Sequence, residues 1–439
     1  MQVYLVGGAL REKLLGRAVK ERDFVVVGAT SEEMLALGYR QVGRDFPVFL
    51  HPETQEEYAL ARTLRNGSAA GRPHADPGVT LEQDLARRDL TINAIAQTAE
   101  GELIDPFGGA ADLRQRVLRH ISPAFADDPL RVLRVARFAA RYAALGFTIA
   151  DETLALMRQL AEVGALDRLV PERVWQELIK ALGEADPRPF FDNLRRCGAL
   201  AQVLPEIDAL YGVPQPARWH PEVDCGVHTL MTLAVACELS ESPEVRFAAL
   251  THDLGKATTP SQILPSHYGH EARGERLVEQ LCRRLKAPTR FRELAKICAT
   301  YHGYTHRLDE LRPKTVVKLL TGLDAFRRPE RLRQFLLVCE ADYRGRQDFF
   351  SRPYPQATEL WRLYEAAKGA SLAPQEAAQG GWIQGEVLRR ERIRLVEARL
   401  STIRDRARLA AEAAEDAKAG DIGADSGTES AKEENQQDT

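Results

Sequence analysis

Two acidic residues stand one position apart at the head of an apolar run, Glu21-Arg22-Asp23-Phe24-Val25-Val26-Val27. On a strand, positions i and i+2 project to the same face, so this spacing sets two carboxylates side by side. Such a pair repels itself until a divalent cation relieves it. Magnesium suits the pair, because it takes one or two carboxylates and completes its shell with water and substrate phosphates. Two ions ~3.5–4 Å apart can activate an attacking hydroxyl and stabilise a leaving pyrophosphate. Upstream, Leu5-Val6-Gly7-Gly8-Ala9-Leu10-Arg11 reads as strand, tight turn and helix. Glycines let backbone N–H groups approach a phosphate, and a helix N-terminus adds partial positive charge. The turn is neither a dinucleotide fingerprint nor a Walker A loop. Each feature alone is more often a structural turn or a solvated strand edge.

Two arginine groups change that balance. Arg87-Arg88-Asp89-Leu90-Thr91-Ile92-Asn93 pairs guanidinium groups that could hold a triphosphate, with Asp89 to orient one of them. Arg131, Arg134, Arg137 and Arg141 follow steps of 3, 3 and 4. At about 100° per residue they form one stripe of a helix. Pro129 fits its first turn, with Asp127 or Asp128 at the cap. Like charges on one stripe need an anion or carboxylates to compensate them. The intervening Val, Leu, Ala and Phe residues point to a largely buried helix rather than a solvated basic face.

A third constellation lies downstream. Seven of the ten histidines fall between 220 and 306. His252-Asp253 sits in LTHDLGK, where a helix is expected to end near Gly255. His228 on an upstream helix and Asp342 in EADYRGR complete a set suited to a catalytic transition metal, since histidines with carboxylates leave positions open. His220, His267 and His306 are expected to be ordinary satisfied histidines.

These residues must be positioned by elements of two kinds. Up to about residue 115, short apolar runs alternate with turns: QVYLV, DFVVVG, FPVFL, EYALA and GELIDPF predict strands, and SEEMLALG a helix. From about 127 the strand signals fade, and RVLRVARFAARYAALG, PERVWQELIKALG and PFFDNLRRCGALAQVLPEI fit helical periodicity. A Pro-rich stretch, YGVPQPARWHPEV, separates these helices from the histidine-rich region. With 439 residues, 44% hydrophobic and 28% charged, several domains are expected, and no apolar run reaches the ~20 residues of a membrane span. The N-terminus reads as a first strand, not a secretory signal. Six scattered cysteines without a C-x-x-C pair fit a reduced cytoplasmic protein rather than a zinc cluster. The net charge of −3 hides a tail, Glu412 to Thr439, with nine acids and two lysines, leaving the body near +4. Residues 411–439 have almost no apolar anchors and are expected to be disordered.

In this order, GGALRE, the E-x-D strand, RRDLTINA, IDPFGG and DDPLRVLRVARFAAR resemble the bacterial class II transfer-RNA nucleotidyltransferases. These are the CCA-adding enzymes, with the closely related poly(A) polymerases. The likeness spans nearly all of residues 1–345. The H…HD…D pattern resembles the HD phosphohydrolases, a domain that some CCA-adding enzymes carry at their C-terminal side. The resemblance implies an α/β N-terminal nucleotidyltransferase (polymerase-beta-like) domain followed by all-α domains including an HD-type helical domain. Its expected division is a head at 1–126, a helical neck with the nucleotide-template helix at 127–215, an HD domain at 225–345, a helical segment at 346–410, and the tail.

By position, the resemblance implies that Gly8, Arg11, Arg88, Arg134 and Arg137 bind the incoming nucleotide and that Glu21 and Asp23 bind Mg2+. Asp128 and Arg131 would read the base edge of CTP or ATP. A carboxylate accepts from an exocyclic amino group, and a guanidinium donates to a ring nitrogen or carbonyl. His228, His252, Asp253 and Asp342 match the HD metal positions, with His252 and Asp253 catalytic; His270 and His302 match those of a second metal. Nickel or another transition metal is implied there, with phosphatase, 2′-nucleotidase and 2′,3′-cyclic phosphodiesterase activities. The implied partner is the 3′ end of tRNA, with no membrane, in a cytoplasmic monomer or homodimer.

Departures from the family pattern are Glu21 for aspartate, Glu12 for the aspartate after Arg11, Asp127 for glutamate, and the loop near 64–80. That loop lacks the family's aromatic positions and bears on adding the final A. The leading expectation is addition of C, C and A by attack of a terminal hydroxyl on the α-phosphorus of CTP or ATP. Poly(A) polymerase, a CC-adding enzyme, or a phosphohydrolase with an inactive N-terminal domain are the alternatives.

Overall fold

A computed structural model describes residues 1–19, 21–42, 48–64, 73–378 and 380–425, with backbone alone at 64, 73, 74 and 406–425. The chain opens with β1 (Gln2–Val6), α1 (Gly7–Leu14), β2 (Asp23–Val27), α2 (Ser31–Ala36), β3 (Arg40–Val42), β4 (Val48–Leu50) and β5 (Glu57–Leu60). A hairpin of β6 (Arg62–Leu64) and β7 (Pro73–Ala75) follows, then α3 (Leu81–Ala86), β8 (Ala96–Gln97), β9 (Leu103–Ile104) and α4 (Gly109–Gln115). The main sheet has the order β3-β4-β5-β2-β1-β8-β9. Within it β2 runs parallel to β5 and antiparallel to β1. Successive strand residues face opposite sides, so Val25 packs with Val6 and Leu85 while Val26 packs with Met34 and Phe49 on the other side. The sheet is thus covered on both faces by what the local sequence supplies. Thr30 and Thr80 each close a capping box, with Glu33 and Gln83, which fixes where α2 and α3 begin.

Beyond residue 120 the fold is almost wholly helical. α5 (Leu130–Arg141), α6 (Asp151–Glu162), α7 (Pro171–Leu182), α8 (Arg188–Arg196), α9 (Leu200–Val203) and α10 (Pro205–Asp208) form the middle. The histidine-rich part is α11 (Cys225–Leu239), α12 (Pro243–Thr251), α13 (His270–Arg284), α14 (Thr289–His306), α15 (Pro313–Gly322) and α16 (Pro329–Arg344). The chain ends with α17 (Pro355–Lys368), α18 (Pro374–Ala377) and α19 (Gly381–Asp425). One apolar core runs from Leu10 in α1 through Phe138 and Trp175 to Leu400 in α19. Trp175 of α7 meets Phe247 and Phe291 edge-on at 5.2 and 5.0 Å, joining the middle helices to the histidine-rich ones. Burying each such ring contributes about 1.5–3 kcal/mol.

Two expectations change. The helix of LTHDLGK ends at Thr251, and a 3-10 turn, Leu254–Thr258, carries the chain past Gly255. Residues 411–425 continue α19. Their alanine-rich composition, poor in apolar anchors, is also the strongest helix-forming composition. Residues 426–439 lie outside those described, as do 65–72 of the divergent loop.

Candidate active sites

The first site is a cavity of about 650 Å3 where β1, β2 and β5 meet α5. Its position follows from the sheet register. Val6, the last residue of β1, lies opposite Asp23, the first of β2, and Asp23 lies beside Glu57 in the parallel ladder with β5. The Gly7 turn therefore opens directly over Asp23. Gly7 has φ +69°, and a Cβ there would come 3.4 Å from Arg88 Nη1 and 3.7 Å from Asp23 Oδ2. The backbone twist requires glycine, while a Cβ would find its neighbours at ordinary contact distance. Nine arginines and four carboxylates line the cavity, which favours a polyanion.

The arginines are braced from behind. Asp84, fully buried on α3, accepts from Arg87 Nη2 at 2.8 Å and from Arg88 Nη2 at 3.1 Å. Burial raises the cost of its charge, but Arg88 and Arg87 outweigh this and hold its carboxyl below the ordinary value. Asp89, expected to orient one of that pair, instead holds Arg134 at 2.7 Å and accepts from Asn93 Nδ2 at 2.7 Å. Burial opposes its charge as well, yet Arg134, Asn93 and the Leu90 N–H keep its pKa at about 2. Arg131, Arg134, Arg137 and Arg141 all line the cavity, as one helical stripe requires. Pro129 precedes α5, and Asp128 Oδ1 accepts from the Leu130 N–H at 3.3 Å.

The remaining candidates are tied into the protein. Gly8 and Arg11 line the cavity. Arg11 is buried and donates to Tyr142 Oη, Asn93 Oδ1 and Glu12 Oε1. Arg137 is also buried, paired with Glu177 at 2.6 Å. Asp128 receives both Nη groups of Arg173, at 3.2 and 2.7 Å. Arg131 donates to the Ala124 and Arg87 carbonyls.

Glu21 departs most from expectation. The strand starts at Asp23, so Glu21 lies exposed two residues outside it and is absent from the cavity lining. It still acts on Asp23: burial raises that carboxyl's pKa, Arg88 lowers it, and Glu21 raises it again. Glu57 does line the cavity. Its partnership with Asp23 depends on a parallel strand pairing that local sequence does not reveal. Asp23 and Glu57, with Glu21 nearby, offer the hard oxygen donors that magnesium takes.

The second site is a buried His/Asp cluster. His228 from α11, His252 and Asp253 after α12, His270 from α13, His302 from α14 and Asp342 from α16 converge. His228 Nε2 is 3.1 Å from Asp342 Oδ1, and His252 Nε2 is 3.2 Å from Asp253 Oδ2. His270 Nε2 and His302 Nε2 both stand 3.4 Å from Asp253 Oδ1. Gly255 permits this convergence, because a Cβ there would fall 1.9 Å from the His270 carbonyl. The Nδ1 atoms of His252, His270 and His302 each meet a backbone carbonyl, at 2.7, 2.9 and 2.8 Å. That leaves each Nε2 directed at the carboxylates, the usual orientation of metal-binding imidazoles. His252 Nε2 and Asp253 Oδ1 are buried without a hydrogen-bond partner. The donor set and these orphaned atoms fit a metal ion.

Four supporting residues escaped the sequence reading. Lys256 Nζ is 2.6 Å from Asp253 Oδ2. His306, expected to be an ordinary satisfied histidine, has Nε2 2.6 Å from Asp342 Oδ2 and Nδ1 3.0 Å from Tyr354 Oη. Glu222, inside the Pro-rich stretch read as a separator, lies 3.0 Å from His228 Nδ1 and 3.0 Å from His220 Nδ1. His220 supports that pair, with burial pushing its pKa down to about 3. His267 is satisfied by Thr259 and the Pro214 carbonyl.

The family of poly(A) polymerase head domains matches residues 3–119, the probable RNA- and SrmB-binding site of polymerase A matches 146–211, and the HD domain matches 226–329. Fold and sites together define a nucleotidyltransferase head joined to a helical body with an HD domain. Curated relatives include the multifunctional CCA protein of Thioalkalivibrio sulfidiphilus, 64% identical over 363 residues, covering 82% of this chain and 89% of that protein. Another is the multifunctional CCA protein of Nitrosococcus oceani, 57% identical over 408 residues, 92% of this chain and 100% of that one. The chain belongs to the multifunctional CCA protein family. Its fold is shared with the Bacillus stearothermophilus CCA-adding enzyme solved with CTP, at 23% identity, TM-score 0.59 and coverage of 92% and 94% of the two chains. A CCA-adding enzyme in apo form II has TM-score 0.61 at 22% identity, covering 91% and 90%.

Proposed function

We propose that this chain builds and repairs the 3′-terminal CCA of tRNA from CTP and ATP, and that its HD domain hydrolyses phosphate esters at nucleotide or RNA ends. The observation that carries the first part is the arginine cavity whose floor is Asp23 beside Glu57 and whose wall is the α5 stripe. Asp23, with Glu57 and Glu21, would hold magnesium, which lowers the barrier to displacement at phosphorus by neutralising charge on the phosphates. Arg87 and Arg88, fixed by Asp84, would hold the triphosphate, with Gly7-Gly8 giving its oxygens close access to backbone N–H groups. Arg134, held by Asp89, and the buried Arg11 and Arg137 would set the local positive potential. Arg131 has five N–H donors and spends two of them on carbonyls. Asp128 Oδ2 keeps a lone pair beyond its bond to Arg173. Both can therefore still meet a base edge, and the amino group common to cytosine and adenine is what a carboxylate recognises. The terminal tRNA hydroxyl attacks the α-phosphorus and pyrophosphate departs.

In the HD domain, His228, His252, Asp253 and Asp342 would hold a transition metal such as nickel, with His270 and His302 placed for a second. Such a metal supplies a hydrolytic nucleophile near neutral pH. Lys256 fixes Asp253, and His306 fixes Asp342. Six cysteines, none paired, support action in the cytoplasm. No helix among the described residues is long and apolar enough to cross a membrane.

The test is Asp23→Asn. Incorporation of labelled CTP and ATP into tRNA lacking its end should fall at least 100-fold, while hydrolysis of a nucleoside 2′,3′-cyclic phosphate with added nickel stays at the wild-type level. Retained incorporation would remove Asp23 from the site. Joint loss of both activities would point to misfolding, checked by circular dichroism.

A further inference from the structure

Arg346 is a cation at the HD cluster for which the reading above has no use. Its side chain is 12% exposed, and its Nε is buried with no hydrogen-bond partner. Nη2 lies 4.0 Å from Asp342 Oδ1, an ionic contact beyond hydrogen-bond range. A guanidinium stays charged, and burying its donors unpaired is costly.

The backbone on both sides of Arg346 is clamped. Gly345 packs so closely on α11 that a Cβ there would fall 2.6 Å from Thr232 Cα. Gln347 donates its N–H to Glu222 Oε2 at 3.2 Å. The same Glu222 contacts His228, so the segment bearing Arg346 is held by residues that support the cluster. On the other elements around it, Arg346 faces His220, His306 and Tyr354, and its charge disfavours the protonated form of both histidines. None of these three carries a negative charge, so the guanidinium's contacts are Asp342 at 4.0 Å and the Tyr343 ring, 5.5 Å from its central carbon. The chain thus spends a rigid turn and a desolvated cation on a place one contact away from a metal-ligating carboxylate.

We propose that Arg346 binds the phosphate of the substrate that the HD domain hydrolyses, and binds inorganic phosphate as product. The guanidinium fork matches two phosphate oxygens, and a desolvated site strengthens that pairing. The inference rests on the HD reading for its substrate, but not for its phosphate. Arg346 is a binding residue: it moves no proton and ligates no metal.

The experiment uses the full-length protein with nickel added, comparing wild type, Arg346→Met and Arg346→Lys. Three quantities are read: KM and kcat for adenosine 2′-monophosphate, calorimetric binding of inorganic phosphate, and bound nickel by mass spectrometry. In Arg346→Met, KM should rise about 30-fold, the order expected for losing a charge-assisted pair, and one phosphate-binding event should disappear. Bound nickel and CTP incorporation should match wild type, and Arg346→Lys should fall between. The first cavity is the same in all three proteins, so a difference in phosphate binding reports the second site. Unchanged KM and phosphate binding would overturn the proposal. Loss of nickel in Arg346→Met would overturn it too, making Arg346 a brace for Asp342. If wild type fails to hydrolyse the nucleotide, the hydrolase reading falls, and the phosphate titration alone decides the role of Arg346.

Discussion

Replacing Asp84 by asparagine tests whether the first cavity works as a braced triphosphate clamp. Asp84 accepts from the Arg62 backbone N–H at 3.2 Å, from Arg87 at 2.8 and 3.1 Å and from Arg88 at 3.1 and 3.4 Å. Asparagine keeps the size, loses the charge and turns one acceptor into a donor facing a guanidinium. Hydrogen bonds to charged groups are worth about 1.5–3 kcal/mol. Arg87 and Arg88 keep 19% and 18% of their side chains in solvent, so water recovers part of the loss. About 2 kcal/mol of lost positioning then translates to roughly 30-fold in kcat/KM. The loss should be equal for CTP and ATP within about threefold, because a phosphate clamp is blind to the base. Steady-state incorporation of each nucleotide into tRNA lacking its end gives both numbers. An unchanged kcat/KM, or a CTP-to-ATP preference altered by an order of magnitude, would refute the reasoning.

Three further outcomes follow from the same geometry. Gly7→Ala must force φ +69° on a residue with a Cβ, so the turn over Asp23 should shift and nucleotide incorporation should fall about 10-fold while circular dichroism stays unchanged. The depressed carboxyl of Asp89, at about 2 against an unfolded value near 3.8, contributes stability that is full above pH 4 and is lost as pH falls towards 2; the urea midpoint advantage of wild type over Asp89→Asn, worth roughly 2 kcal/mol at pH 6, should shrink steadily between pH 4 and 3. Asp342→Asn should abolish bound nickel and HD hydrolysis and leave CCA addition intact, which metal analysis and the two activity assays separate.

Motifs whose chemistry is local were legible in the sequence. Gly7-Gly8 announces a turn because glycine is what the positive φ of Gly7 demands. The arginine stripe of α5 announces a face because helical spacing is fixed. His252-Asp253 announces the buried His/Asp cluster because the two are adjacent. Partners brought together by topology were not legible. Glu57 joins Asp23 only through parallel pairing of β2 with β5, with thirty-odd residues between them. Asp84, one turn before Arg88, carries no mark in the sequence, and only its burial on α3 sets it against both arginines. His306 and Glu222 look bland in sequence, and only packing sets them against Asp342 and His228. The alanine-rich end of α19 misled for another reason: few apolar anchors suggested disorder, while the same residues favour a helix.

The central claim is that one cavity adds both C and A to a tRNA end. Purified wild-type protein, with magnesium, should be given three tRNA substrates ending before the first C, after one C and after CC. With CTP alone the first should gain two residues and the second one. The third should gain a single A only when ATP is present, and growth should then stop. Long A tails on any of the three substrates, or no incorporation of CTP, would contradict the account.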